Sequence, residues 1–237
     1  MNLAHIDNVS INGTTKIHKC GAVAKMIFAT FLLFGFLFSQ ELEKIIFLIL
    51  IVIVISIISA IPLKTALKLL LYPAFFSTFF ALIIIKDAPG QGIIIMLKAI
   101  GSAFSMIWLI LTTPYIEIFS VLNLIFPSVI VDILFFTYRS FFILLGKLEN
   151  ILKSIKLKGG YHKFNFIKNI KNIAGIIGIL IIHSFEASER MYKIYSLRGY
   201  DGKLPFGSTV LIKGKEDYIL IVTGIILIIG VLIPWNL

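Results

Sequence analysis

One short pattern of charged residues is written twice in this sequence, forty positions apart. It reads Glu149, Lys153, Leu157, Lys158, Gly159 and then Glu189, Lys193, Leu197, Arg198, Gly199. The chemistry on offer is ionic recognition, because each copy ends in a cation, and a cation at a helix tip can meet a carboxylate. Spacings of four put Glu, Lys and Leu along one side of a helix, and the order Glu before Lys favours an intrahelical ion pair. The glycine suits the left-handed residue that ends a helix, and a cation beside a carboxyl end is favoured by the helix dipole. A lone basic C-terminus followed by glycine is ordinarily a stable cap, but two in register point to a partner.

Other ionisable residues offer less. Asp132 and Arg139 are seven apart, on one helix face but about 10 Å from each other along the axis, so each is expected to find an interhelical or headgroup partner. With Glu117 they could also line a proton or ion pathway. His183 and Glu186 are three apart and can touch, yet a metal site needs more ligands than lie nearby. Arg190 has Glu186 four residues earlier as a local partner. His5 and His18 read as surface histidines. Cys20 is the sole cysteine, which leaves no internal disulfide or thiolate metal site.

The elements that carry these residues are greasy. In 237 residues, 59% are hydrophobic and the mean hydropathy is +1.01, more than a soluble core needs. Apolar runs near the roughly 20 residues that cross a bilayer cover 22–38, 45–61, 69–85, 93–111 and 218–235. Two more, 128–146 and 173–183, run directly into the charged repeats. The net charge of +10 does not imply nucleic acid, because 13 of the 22 Lys and Arg lie between Lys147 and Lys215, an asymmetry that marks a cytoplasmic face and lipid headgroups.

Lys16, Lys19 and Lys25 put the N-terminus in the cytoplasm, and no cleavage pattern follows the first run, so it is read as a membrane helix rather than a signal peptide. Turns at Pro62, Lys86-Asp87-Ala88-Pro89-Gly90 and Thr112-Thr113-Pro114 separate the next helices. If 128–146 crossed outward, Lys147 to Lys171 would place seven lysines outside. Residues 115–200 are therefore expected on the cytoplasmic side, as a short amphipathic helix over 115–126 and long helices over Ser128 to Lys158 and Lys168 to Arg198. Asp132, Arg139, Glu149, His183 and Glu186 interrupt what would otherwise be clean spans. Gly175 and Gly178 permit a close helix crossing, and Trp235 is expected at the outer interface.

The expected fold is an all-α integral membrane protein with about five transmembrane helices and a cytoplasmic coupling domain of three long helices. Its domains are a leader, 1–21; four spans, 22–113; the coupling domain, 114–217; and a last span, 218–237.

The endings Ser196-Leu197-Arg198-Gly199-Tyr200 and Lys156-Leu157-Lys158-Gly159-Gly160 resemble the paired Ala-Arg-Gly signatures of the transmembrane T components of energy-coupling factor (ECF) transporters. Glu186 to Tyr192, Thr112-Thr113-Pro114, Thr137-Tyr138-Arg139, His5-Ile6-Asp7 and the Val9 to Lys25 leader are similar to the cobalt-transport, CbiQ-like branch. The resemblance covers nearly the whole chain. It departs at Ser196 and Lys156, where alanine is usual, and at Lys158, which lacks the planar fork of arginine.

The resemblance implies a prokaryotic cell-membrane connector between two ABC-type ATPases and a substrate-binding S component, importing cobalt, nickel or a vitamin. ATP and magnesium would be bound by the ATPases. This chain, with no glycine-rich phosphate loop, would carry no cofactor, no metal and no catalytic residue. Lys158, Gly159, Ser196, Leu197, Arg198 and Gly199 would dock the ATPases, on helices supported by Glu149, Lys153, Glu189, Arg190 and Lys193. Two rival readings remain at this point. A self-contained secondary transporter would need inverted repeats with broken helices, and an intramembrane enzyme would have to be assembled from His183, Ser184, Glu186 and Asp132.

Overall fold

The computed structural model describes residues 7, 9–11, 13, 15–86, 88–160, 166–204 and 214–233, with side chains of 166–168 left aside. Its helices are α1 (Lys16–Lys19), α2 (Ala22–Phe38), α3 (Leu42–Ile58), α4 (Leu63–Ile85), α5 (Pro89–Thr112), α6 (Tyr115–Leu122), α7 (Ser128–Leu157), α8 (Phe166–Leu197) and α9 (Lys215–Leu232). There is no strand among the described residues. The expectations for His5, Asp87 and Trp235 lie outside them.

Two units emerge, Met1–Val121 with Gly207–Leu237, and Leu122–Phe206. In the first, α2 is the hub, packed against α3, α5 and α9. Its sequence explains why: Ala22, Ala24, Phe28, Ala29, Leu32 and Phe36 recur at helical spacing and are all buried. Small residues let neighbours close in. A Cβ on Gly101 would lie 2.4 Å from the Phe36 ring, and one on Gly224 would lie 2.7 Å from that of Phe31. Phe28 meets Trp108 edge to face at 5.6 Å, and the buried indole donates to Ser59 Oγ at 3.0 Å.

Elsewhere the first unit shows its apolar surface. Leu67, Leu71, Phe75, Phe79 and Leu82 of α4 are each at least 60% exposed, as side chains facing lipid would be. Four described helices are long and apolar enough to span a bilayer: α4, α5, α7 and residues Asn169–Leu197 of α8. By length and composition, then, the two helices expected in the coupling domain qualify as well as true spans do. At 17 residues each, α2 and α3 are slightly shorter, and α9 begins with three charged residues. The chain is an all-α membrane protein.

The leader is stitched into this unit. Lys25 is fully buried and donates to the carbonyls of His18 at 2.8 Å and Thr112 at 3.0 Å, so this cation satisfies the end of α5 rather than facing solvent. Asp217 of α9 accepts from the Gly21 N–H at 2.8 Å and the Gly214 N–H at 3.3 Å. Cys20 is buried beside it; burial, and after it the Asp217 carboxylate, push the thiol up to about 11. His18, expected at the surface, is half-buried, with Nδ1 2.6 Å from Thr15 Oγ1.

In the second unit α7 and α8 run antiparallel. Phe136, near the start of α7, meets Tyr195, near the end of α8, and Asn172, near the start of α8, meets Gly160, just past the end of α7. The helix expected over 115–126 stops at Leu122, where a turn leads into Pro127.

Candidate functional site

The two repeated endings adopt one backbone design. At the first, Gly159 has φ +71° and its N–H bonds the Lys156 carbonyl, while the Gly160 N–H reaches the Ile155 carbonyl at 2.9 Å. At the second, Gly199 has φ +78°, its N–H bonds the Ser196 carbonyl, and the Tyr200 N–H reaches the Tyr195 carbonyl at 3.0 Å. Both are Schellman motifs, in which the last carbonyls are satisfied by the chain's own reversal. Glycine is required there because the left-handed conformation costs other residues about 1 kcal/mol.

This geometry projects what precedes the glycine. Leu157 and Leu197 are each 88% exposed, the most exposed large apolar side chains described. The Lys158 and Arg198 side chains are exposed beside them, and neither forms an ion pair or side-chain hydrogen bond among the described residues. Ser196 donates to the Lys193 carbonyl at 3.0 Å. A leucine and an unpaired cation at one helix tip together form a hydrophobic peg with a charged shoulder. Because the helices are antiparallel, the tips lie at opposite ends of the pair; Asn172 and Leu197, 25 positions apart on one helix, are separated by about 38 Å along its axis.

The supporting residues behave differently from expectation. Glu149, Lys153, Glu189, Arg190 and Lys193 are exposed, and neither Glu149–Lys153 nor Glu189–Lys193 closes into an ion pair. Such a surface pair is worth only about 0.3–0.5 kcal/mol, which does not outweigh the freedom of two long side chains. Glu186 turns to His183, at 3.0 Å, rather than to Arg190. No group of three or more His, Cys, Asp or Glu suited to a metal ion occurs among the described residues. Gly175 and Gly178 make no close crossing either, since a Cβ on each would meet nothing within 4 Å.

Asp132 and Arg139 find their partners across the pair. Asp132 is 2% exposed and accepts from the Tyr200 hydroxyl at 2.9 Å and the Leu204 N–H at 3.4 Å. Arg139 donates to the Tyr195 hydroxyl at 2.6 Å, with its guanidinium 5.7 Å from the Tyr195 ring centre. Sequence spacing placed these residues on one face of α7, but the tyrosines that answer them lie 56 and 68 positions away. Above them, α7 and α8 leave an apolar groove of about 530 Å³ lined by Ile133, Phe136, Phe141, Leu144, Met191 and Tyr192.

An uncharacterized protein of Methanocaldococcus jannaschii, MJ1089, is 26% identical over 136 residues, a stretch that makes up 55% of this chain. The chain spans about half the length of that relative, 48%. The pattern that defines the CbiQ cobalt transport protein family matches residues 13–206, a stretch that holds both endings, the α7–α8 pair and most of the first unit. The chain belongs to the CbiQ family of cobalt transport proteins.

Proposed function

We propose that this chain is the coupling subunit of an ATP-driven ECF-type importer. The observation that carries the reading is the pair of matched helix tips, each with an exposed leucine and an unpaired cation, at opposite ends of one antiparallel pair. Two ABC-type ATPases receive them, Arg198 and Leu197 in one acidic groove, Lys158 and Leu157 in the other. Gly159 and Gly199 let the backbone turn away, and Ser196 lies within the peg itself. ATP and magnesium belong to the ATPases. Closure of the ATPase pair then displaces the two tips relative to each other.

Residues 114–217 lie on the cytoplasmic side and in the interface, with the N-terminus also inside a prokaryotic cell membrane. Support comes from the seven lysines between Lys147 and Lys171 and from the interrupting charges on α7 and α8. The apolar groove between α7 and α8 faces the substrate-binding S component, which selects a transition-metal ion, cobalt or nickel, or a vitamin. The chain itself transmits motion and makes or breaks no bond.

Copurification in mild detergent tests this. ATPase subunits and a small membrane partner should accompany the chain, and purified complexes should hydrolyse ATP. A chain that transports its substrate alone in liposomes, driven by an ion gradient, would instead be a secondary transporter.

A further inference from the structure

The residues just past each ending are tied to the opposite helix. After the second, the Tyr200 hydroxyl and the Leu204 N–H both donate to Asp132, at the start of α7. After the first, the Gly160 carbonyl accepts from the Asn172 side chain, near the start of α8. Each tip is thus fastened to its neighbour's N-terminal end, reciprocally. The two fastenings differ in kind. That at the second tip uses a carboxylate held 2% exposed and an aromatic triangle in which Phe136 meets Tyr195 at 4.7 Å and Tyr200 at 5.6 Å. That at the first, among the described residues, is the neutral hydrogen bond from Asn172.

A buried carboxylate is costly unless its oxygens are satisfied, and here both are used, one by a hydroxyl and one by a backbone N–H. The carboxylate's evident work is to fix the chain beyond Gly199. The hydrogen bond also sets the direction of the Arg198 tip, because Tyr200 is two residues from Arg198 and its backbone N–H closes the helix end.

We infer that Asp132, acting through Tyr200, and Asn172, acting through the Gly160 carbonyl, are positioning residues that lock the two tips to one another's helices. This rests on the coupling reading for its purpose, but its geometry is testable without ATPases. A push at either tip is then delivered to both helices at once instead of fraying the end that receives it. The charged tie makes the Arg198 end the stiffer of the two.

Spin labels at exposed positions read each tie separately in the full chain in lipid nanodiscs. One pair sits at Val129 and Leu197 and the other at Leu157 and Ile173, with Cys20 buried and slow to label. Tyr200→Phe and Asp132→Ala should at least double the width of the 129–197 distance distribution and leave 157–173 unchanged. Asn172→Ala should do the reverse. Asp132→Asn should restore most of the narrow 129–197 distribution, since its amide oxygen still accepts from the hydroxyl. Unchanged widths in Tyr200→Phe and Asp132→Ala, or a wild-type distribution already as broad, would overturn the inference.

In the assembled complex, Tyr200→Phe should lower substrate taken up per ATP hydrolysed about fivefold, with ATPase recovery within twofold of wild type. An undiminished ratio despite a broadened distribution would deny the positioning role. Failure of the wild-type chain to recover ATPases would instead strike the coupling reading, while the distance measurements still decide the ties.

Discussion

The two endings share a backbone and differ in their supports. Both close on a left-handed glycine with the same pair of reversed hydrogen bonds, and both raise a leucine to 88% exposure. Only the second has an aromatic residue after its glycine, packed 6.2 Å from Tyr195 and bonded to a buried carboxylate. The first has Gly160 there, where a Cβ would come within 2.6 Å of Ile155 Cγ2. It also carries lysine, a point charge, where the second carries a forked guanidinium. The same backbone motif therefore carries an aromatic, carboxylate-bonded support at one end and a bare glycine at the other. On the proposed coupling role, a connector between two moving partners would gain from holding one firmly and letting the other swivel.

The sharpest way to break that contrast is charge reversal. Arg198→Glu should abolish ATPase recovery while membrane insertion persists, and Lys158→Glu should reduce recovery less, by about tenfold; equal losses would mean that the tips grip alike. Removing the pegs should come next. Leu197→Asp and Leu157→Asp should each weaken recovery about fivefold to tenfold, roughly 1 kcal/mol and so only part of the roughly 1.5–3 kcal/mol for fully burying a leucine, without lowering the yield of folded chain. An effect on folding would show that these side chains are packed rather than presented.

Smaller effects should sharpen the comparison. Gly159→Ala and Gly199→Ala meet no steric obstacle, so each should cost only the left-handed strain, about 1 kcal/mol, seen as a few degrees in thermal unfolding. A much larger loss at Gly199 would reveal how tightly the Tyr200 tie depends on that turn. The smallest change belongs to Lys158→Arg, which should preserve or modestly strengthen ATPase pulldown. Weaker recovery would show that lysine at 158 is selected for its looseness.

Much of this was legible in the residues. The apolar runs give α2 through α5 and α9 to within four positions, except that α4 starts at Leu63, six positions before the run at 69, since burial on one side and lipid on the other leave little choice of element. The endings were legible because glycine, cation and leucine each have a local backbone reason to be where they are. What escaped was anything that depends on partners distant in sequence. Asp132 and Tyr200 are 68 positions apart, and spacing alone says only that each needs something. Lys25 read as one more inside-facing cation, yet it is buried beneath Thr112, because the charge rule counts lysines without knowing which carbonyls are left open. The Glu–Lys pairs failed for the opposite reason: spacing permits them, but solvent rewards them too little to hold them.

On the proposed coupling role, the antiparallel arrangement would make the α7–α8 pair a ruler as well as a lever. If the tips dock as proposed, two points about 38 Å apart along the pair cannot both be met by one small groove, so binding strength would depend on whether the two recipients are joined. A lone ATPase monomer would be held weakly and exchange freely. A dimer with its grooves at the matching separation would gain avidity, and a change in that separation during the nucleotide cycle would register as tension along the rod.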